Sequence, residues 1–303
     1  MARIVFGNHP FTAEKKEKPM CIRKEACGYF TYPDFEICTS DLNTLYLSTP
    51  EMTVGYYELA PGSKFAPPDH HPGDEIYYIM EGELWEVNPI TGQNVHLMPG
   101  DALLIPFGAA HGGYNFGKTR MKAVFALAPN MVTGQNFPTD LTGKWRVLKG
   151  KDEGAYEKFS DVEKKNVIQT IDHVGRWPVS GQELRQFPGY LRRITEYEKL
   201  NVVNGLENPY LMKFFISNDL IHMGELILPS GGKGCRISEP ESHAGETAVF
   251  VLDGSISFLM TESRETFKVE PGELMYIPKG VEYQMMNYWE EFARAIFVIA
   301  PAL

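Results

Sequence analysis

The strongest constraint on this chain is that it repeats itself. The stretch from Gly62 to Pro129 lies over Gly234 to Pro301 without a gap. One offset (243 − 71 = 172) carries His71 to His243, Gly82 to Gly254, Gly108 to Gly280 and Asn115 to Asn287. It also carries Pro99 and Gly100 to Pro271 and Gly272, Ile105 and Pro106 to Ile277 and Pro278, and Ala128 and Pro129 to Ala300 and Pro301. Single coincidences of Gly or Pro mean little; this many in one register mean a tandem duplication. A chain of 303 residues then holds two copies of one fold.

Each copy reads as strand and turn. Glu75 to Met80 and Thr247 to Leu252 are short β-rich runs ending at Glu81-Gly82 and Asp253-Gly254, a strong hairpin signal. Ala102 to Ile105 and Leu274 to Ile277 stop at proline, which cannot donate to a ladder. Met121 to Ala128 and Ala293 to Ala300 close each copy with an apolar strand. With 21 prolines, 28 glycines, 18 Phe and 15 Tyr, the composition suits a turn-rich all-β architecture of sandwich or barrel type. The expected organisation is an N-terminal arm (1–45), a first barrel (46–135), a linker (136–205) and a second barrel (206–303). Within the linker, Tyr156 to Ile171 has apolar residues at roughly helical spacing and is expected to form a helix.

The chemistry-bearing residues cluster in the first copy. Asp69, His70 and His71 precede Glu75 on a strand, and His111 follows the corner Pro106-Phe107-Gly108. The arrangement Gly62, His71-x3-Glu75-x6-Gly82, then Gly100-x5-Pro106-x-Gly108-x2-His111-x3-Asn115, resembles the two motifs of the cupin superfamily. The second motif matches throughout, and the first departs at its leading histidine, where Asp69 stands. The resemblance implies a bicupin, two tandem double-stranded β-helix (jelly-roll-like) barrels in one chain, and leaves the N-terminal arm and the linker unmatched.

The residues support a metal site on their own terms. Alternate residues of a strand share a face, so Asp69, His71 and Tyr77 point into one barrel if the Pro72-Gly73-Asp74 turn keeps Glu75 in phase. Imidazoles and a carboxylate converging in a barrel mouth suit a first-row divalent ion. The fourth protein ligand is either Asp69 or, across a bulge, His70. A carboxylate-rich set favours Mn(II), with Zn(II) or Fe(II) next, at about one ion per chain. Glu75 is expected as ligand or general base, and Tyr77 as a second catalytic candidate. Tyr57, Phe107 and Tyr114 are further candidates for the pocket lining.

In the second copy the same register places Glu241, His243, Thr247 and Tyr283 where Asp69, His71, Glu75 and His111 stand. One ligand type survives in place, so the second barrel is expected to be metal-free.

The superfamily that the chain resembles includes dioxygenases, decarboxylases, isomerases, hydrolases and binders, so the fold alone does not choose a reaction. Our preferred expectation is redox-neutral hydrolysis or isomerisation of a small enolisable β-diketone or cyclic dione. An Fe(II) dioxygenase cleaving a phenolic ring or diketone is the alternative, favoured if His70 is a ligand; a non-catalytic small-molecule binder is the third. The formal charge of −10 has the wrong sign for a nucleic-acid partner. No apolar run reaches the ~18 residues of a membrane helix. Cys21, Cys27, Cys38 and Cys235 form no Cys-x-x-Cys pair, and no secretion signal is evident, so free thiols in a cytoplasmic homo-oligomer are expected.

Overall fold

The computed structural model describes residues 4–6, 15–31, 41–65, 68–71, 73–129, 137–138, 190–205, 208–232 and 240–303. The expected linker helix and the residues Cys38 and Cys235 lie outside the described residues. Among those described, the structure is β strand with two short 3-10 turns. No helix in it is long and apolar enough to cross a membrane.

The chain divides into two compact units, each built around one copy of the repeat. In the first, the large sheet runs in the order β1 (Ile4–Phe6), β3 (Gly28–Thr31), β4 (Asp41–Ser48), β5 (Thr53–Leu59), β12 (Met121–Ala128), β7 (Asp74–Glu81), β10 (Ala102–Ile105) and β14 (Arg192–Ile194). A smaller sheet pairs β11 (Gly112–Tyr114), β8 (Leu84–Val87) and β9 (Asn94–Leu97), and β6 (Asp69–His70) pairs with β13 (Phe137–Pro138). The second unit repeats the plan. Its large sheet runs β15 (Leu200–Asn204), β16 (Tyr210–Ser217), β17 (His222–Leu228), β23 (Ala293–Ala300), β18 (Glu246–Asp253), β21 (Leu274–Ile277) and β2 (Met20–Ile22). Its small sheet runs β20 (Thr266–Val269), β19 (Ile256–Met260) and β22 (Tyr283–Met286).

Segments outside the repeat extend both large sheets. β2, from the N-terminal arm, is an edge of the second unit's sheet, and β14, from the C-terminal part of the 136–205 segment, is an edge of the first. Reciprocal bonds anchor β14: Gln93 donates its amide to the Leu191 carbonyl (2.8 Å) and accepts from the Leu191 N–H (2.6 Å). Arg193 adds an ion pair with Asp101 at 2.9 Å.

The matched positions of the repeat have matched structural duties. Gly82 and Gly254 end their strands at φ +71° and +67°, a region that glycine enters without steric cost. Asn115 donates its amide to the carbonyls of Leu59 and Thr119, both at 2.9 Å. Asn287 does the same to Leu228 (3.2 Å) and Glu291 (2.8 Å). The N–H of Gly108 donates to the His71 carbonyl at 2.9 Å, as that of Gly280 does to His243 at 2.8 Å. That bond ties the Pro/Gly corner to the segment carrying the histidine.

Register then places the interior. β7 lies between β12 and β10, with Glu75 opposite Leu127 and Ile105, and Tyr77 opposite Phe125 and Leu103. The Phe125 ring lies over Gly55, where a Cβ would fall 2.4 Å from the ring, and Phe297 lies likewise over Gly224. Replacing Gly55 by Ala would push against a fully packed interior. We expect Gly55→Ala to cost about 1–3 kcal/mol by thermal or urea unfolding. Adding Phe125→Leu should recover part of that loss, because the added methyl would still press on the Thr44 carbonyl.

Candidate metal centre

Three elements bring the site together in the first barrel. His71 leaves β6, Glu75 is the second residue of β7, and His111 stands immediately before β11. The Oε2 of Glu75 is 3.2 Å from Nε2 of His71 and 3.2 Å from Nε2 of His111. The imidazole centroids are 5.0 Å apart. All three side chains are buried, at 5%, 4% and 2% exposure for His71, Glu75 and His111.

The polarity of this trio is unusual for a protein interior. A backbone carbonyl only accepts, so the 3.0 Å contact of His111 Nδ1 with the Ala109 oxygen puts the proton on Nδ1 and leaves a lone pair on Nε2 of the neutral ring. Burial pushes the Glu75 carboxyl up, but the neighbouring His71 and His111 outweigh it and hold the group well below the usual carboxylate range. Glu75 Oε2 nevertheless makes no hydrogen bond of acceptable angle. An anionic oxygen and imidazole nitrogens thus converge without a hydrogen-bond geometry between them. Donor atoms ~2.1 Å from one shared ion stand roughly 3.0–3.4 Å apart, and the two 3.2 Å separations fit that arrangement. Among the described residues, this trio is the one group able to hold a metal ion.

His70 is not part of the trio. It sits on β6 opposite Phe137 and is half-buried, one residue from His71 and therefore on the other phase of the strand. The Asp69 backbone pairs with Pro138, and its side chain lies outside the described residues.

Of the aromatic candidates, Tyr77 and Tyr57 are inside. Their rings stack at 5.7 Å, and Phe65 meets Tyr57 edge-on at 6.3 Å. Tyr114 and Phe107 do not line the pocket. Tyr114 is three residues past His111, hence on the opposite face; it pairs with Trp85 and stacks on exposed Phe116 at 5.7 Å. Phe107 is 51% exposed at the corner. The sequence reading also overlooked Glu86, a fully buried acid on β8, although its spacing from the apolar Leu84 placed it on the inward phase.

The corresponding place in the second barrel is closed by hydrogen bonds. The Tyr283 hydroxyl meets Nε2 of His243 at 3.1 Å, and the Tyr210 hydroxyl donates to Glu241. Asn204 donates to the Tyr210 oxygen at 2.6 Å and to Glu241 at 3.3 Å. His222 Nδ1 lies 2.6 Å from the Ser217 hydroxyl. Burial pushes both His222 and His243 down to about 4, so both rings are neutral at pH 7. Burial also pushes Glu241 up to about 7, against hydrogen bonds from Tyr210 and Tyr283 that pull it down.

A pH-dependent stability follows from Glu241. Between about pH 4.5 and 7 its carboxyl is protonated when folded and ionised when unfolded, so its contribution to stability falls as pH rises through that window. Gln cannot ionise. The Tm of Glu241→Gln minus that of the natural chain should therefore be close to its low-pH value at pH 4 and climb steadily towards pH 7.5. A difference flat with pH would show that Glu241 titrates normally.

Comparison with known proteins agrees with this architecture. A family model described as a cupin domain matches residues 55–127 and 230–299. Among solved structures, AerE from Microcystis aeruginosa superposes with a TM-score of 0.55 at 14% identity, covering 87% of this chain and 92% of its own. The 7S globulin of Momordica charantia gives 0.58 at 14%, covering 93% and 84%. A variant of oxalate decarboxylase from Bacillus subtilis gives 0.59 at 11%, covering 97% and 80%. Identities this low establish the shared fold. Among curated protein sequences, none matches this chain.

Proposed function

The chain is a bicupin in which one barrel carries a buried His–Glu–His trio, and from that premise we propose that it is a divalent-metal-dependent enzyme. Its substrate is a small oxygenated carbonyl compound, of the enolisable β-diketone or cyclic dione type, which it hydrolyses or isomerises without net redox change. The observation that carries this reading is the buried Glu75 carboxylate, whose Oε2 lies 3.2 Å from two imidazole Nε2 atoms without a well-formed hydrogen bond to either.

His71, Glu75 and His111 would hold the ion, with Mn(II) preferred and Zn(II) or Fe(II) next, because oxygen ligands harden the site. Bound there, the ion would supply Lewis-acid polarisation of a carbonyl or a bound water of lowered pKa. The remaining work falls to the protein. The Ala109 carbonyl fixes the tautomer and plane of His111 by accepting from Nδ1. Leu127 and Ile105 flank Glu75 and exclude water from it, which strengthens each charge interaction in the site. Glu75 serves as a ligand or, if it swings free of the ion, as the base for a proton alpha to the carbonyl. Tyr77, on the same face two residues along, holds a hydroxyl-bearing ring against Tyr57 inside the same barrel.

Elemental analysis of protein purified without chelator should find about one divalent ion per chain. His111→Ala and Glu75→Ala should lose most of it together with turnover, while Tyr283→Phe keeps both. Two ions per chain, or an ion retained in the His111 variant, would contradict the assignment. In an anaerobic chamber, the Mn(II)-loaded protein should turn over a panel of diones as fast as in air. A strict need for O₂ would exclude hydrolysis and isomerisation and favour the dioxygenase.

A further inference from the structure

The outer face of the first barrel's small sheet carries aromatic side chains that the metal reading leaves unused. Trp85 alternates with the buried Leu84 and Glu86, so it points away from the interior. Residues directly opposite across strands share a face, which extends its row to Tyr114 on β11 and His96 on β9, and an isolated bridge adds Lys64 opposite Tyr114. The rings pack on one another: Trp85 on His96 at 4.2 Å, Tyr114 on Phe116 at 5.7 Å, and Phe116 edge-on to Trp85 at 6.4 Å. Glu83 lies 2.7 Å from Nε2 of His96 and fixes that ring. Phe116 is nevertheless 70% exposed, and Met98, two residues past His96, is exposed beside it in sequence phase.

The fold does not require these rings. In the second barrel the same row reads Met286, Ser257 and Lys268, and Lys268 pairs with Glu270 as on an ordinary solvated sheet. That barrel exposes its aromatic side chains in the loop between β22 and β23 instead. Tyr288 and Phe292 are 66% and 54% exposed, with Trp289 exposed between them. Lys268 lies over the Trp289 ring at 4.2 Å, and the Ser230 hydroxyl donates to the Trp289 carbonyl at 2.6 Å, so the loop is held in shape. Grouped exposed aromatic side chains on a folded chain mark an interaction site.

Charge selects the occupant. Lys64 and Lys118 flank the face of the first barrel, and Glu290 and Glu291 stand exposed among the rings of the second barrel's loop. Among the described residues, none of these four side chains makes an ion pair. Two copies of the face, or two copies of the loop, would set like charge against like; face against loop sets opposite charges around two apolar centres. We propose that the outer face of the first barrel's small sheet is the docking site for residues 288–292 of a second copy of this chain. Each copy carries one face and one loop, so the contact is heterologous and runs from the first barrel of one copy to the second barrel of the next. An aromatic centre with a charged rim is the composition of a protein–protein interface. The contact is independent of the metal centre and goes beyond it.

Sedimentation velocity of the natural chain at about 50 µM, well above a micromolar Kd, should show assemblies of two or more chains. Phe116→Glu and Phe292→Glu should each weaken association about a hundredfold, the size of losing a central aromatic anchor, and sediment as single chains. Both side chains are exposed, so neither change touches the core. Mixed in equal amounts, the two variants should form pairs of one chain each and nothing larger, because one intact face and one intact loop remain between them. Lys118→Glu should weaken association about tenfold at low salt and far less at high salt. A natural chain that sediments singly overturns the proposal, as it would if these surfaces met a different protein. So does an assembly that survives either phenylalanine substitution, or a mixture of the two variants that stays unpaired.

Discussion

An ionised carboxylate held between two imidazole Nε2 atoms inside a β-barrel is the constraint around which the first half of this protein is arranged. Glu75 Oε2 lies 3.2 Å from both nitrogens in a site from which solvent is nearly absent. A buried anionic oxygen without a hydrogen bond is costly in a low-dielectric interior; a cation held by His71, Glu75 and His111 would offset that cost. The surrounding structure serves to hold the three atoms in place. The Gly108 N–H fixes the backbone at His71, the Ala109 carbonyl orients His111, and β12 and β10 clamp Glu75 on both sides.

The second barrel is an internal control on this account. It keeps every device that shapes the fold: the turn glycine, the asparagine clamp, the corner bond to the histidine carbonyl and the Phe-over-Gly contact. What it lacks is the electrostatic conflict. Tyr283 supplies a hydroxyl to His243, Thr247 removes the central carboxylate, and Phe258 stands opposite Met285 where Glu86 stands opposite Gly113 in the first barrel. Fold and site are therefore separable: the second barrel keeps the architecture without the trio.

The repeat, the strand positions and the meeting of His71, Glu75 and His111 were legible in the sequence, because strand alternation and glycine and proline placement are local rules. What lay beyond it depended on partners distant in the chain. Glu86 looks like any strand acid until Gly113 and Tyr57 are seen around it. Tyr114 was a candidate for the pocket lining, yet its parity pairs it with Trp85 and stacks it on Phe116. The exchange that carries β2 into the second unit's sheet has no local signature, since Met20 to Ile22 is too short to name its neighbour.

Pulsed electron paramagnetic resonance of the Mn(II)-bound protein tests the central claim most directly. The account predicts hyperfine coupling from two imidazole nitrogens in the natural chain, and from one in either His71→Ala or His111→Ala at an Mn(II) excess that restores occupancy. Mn(II) bound with no imidazole coupling, or two couplings that survive both substitutions, would contradict it.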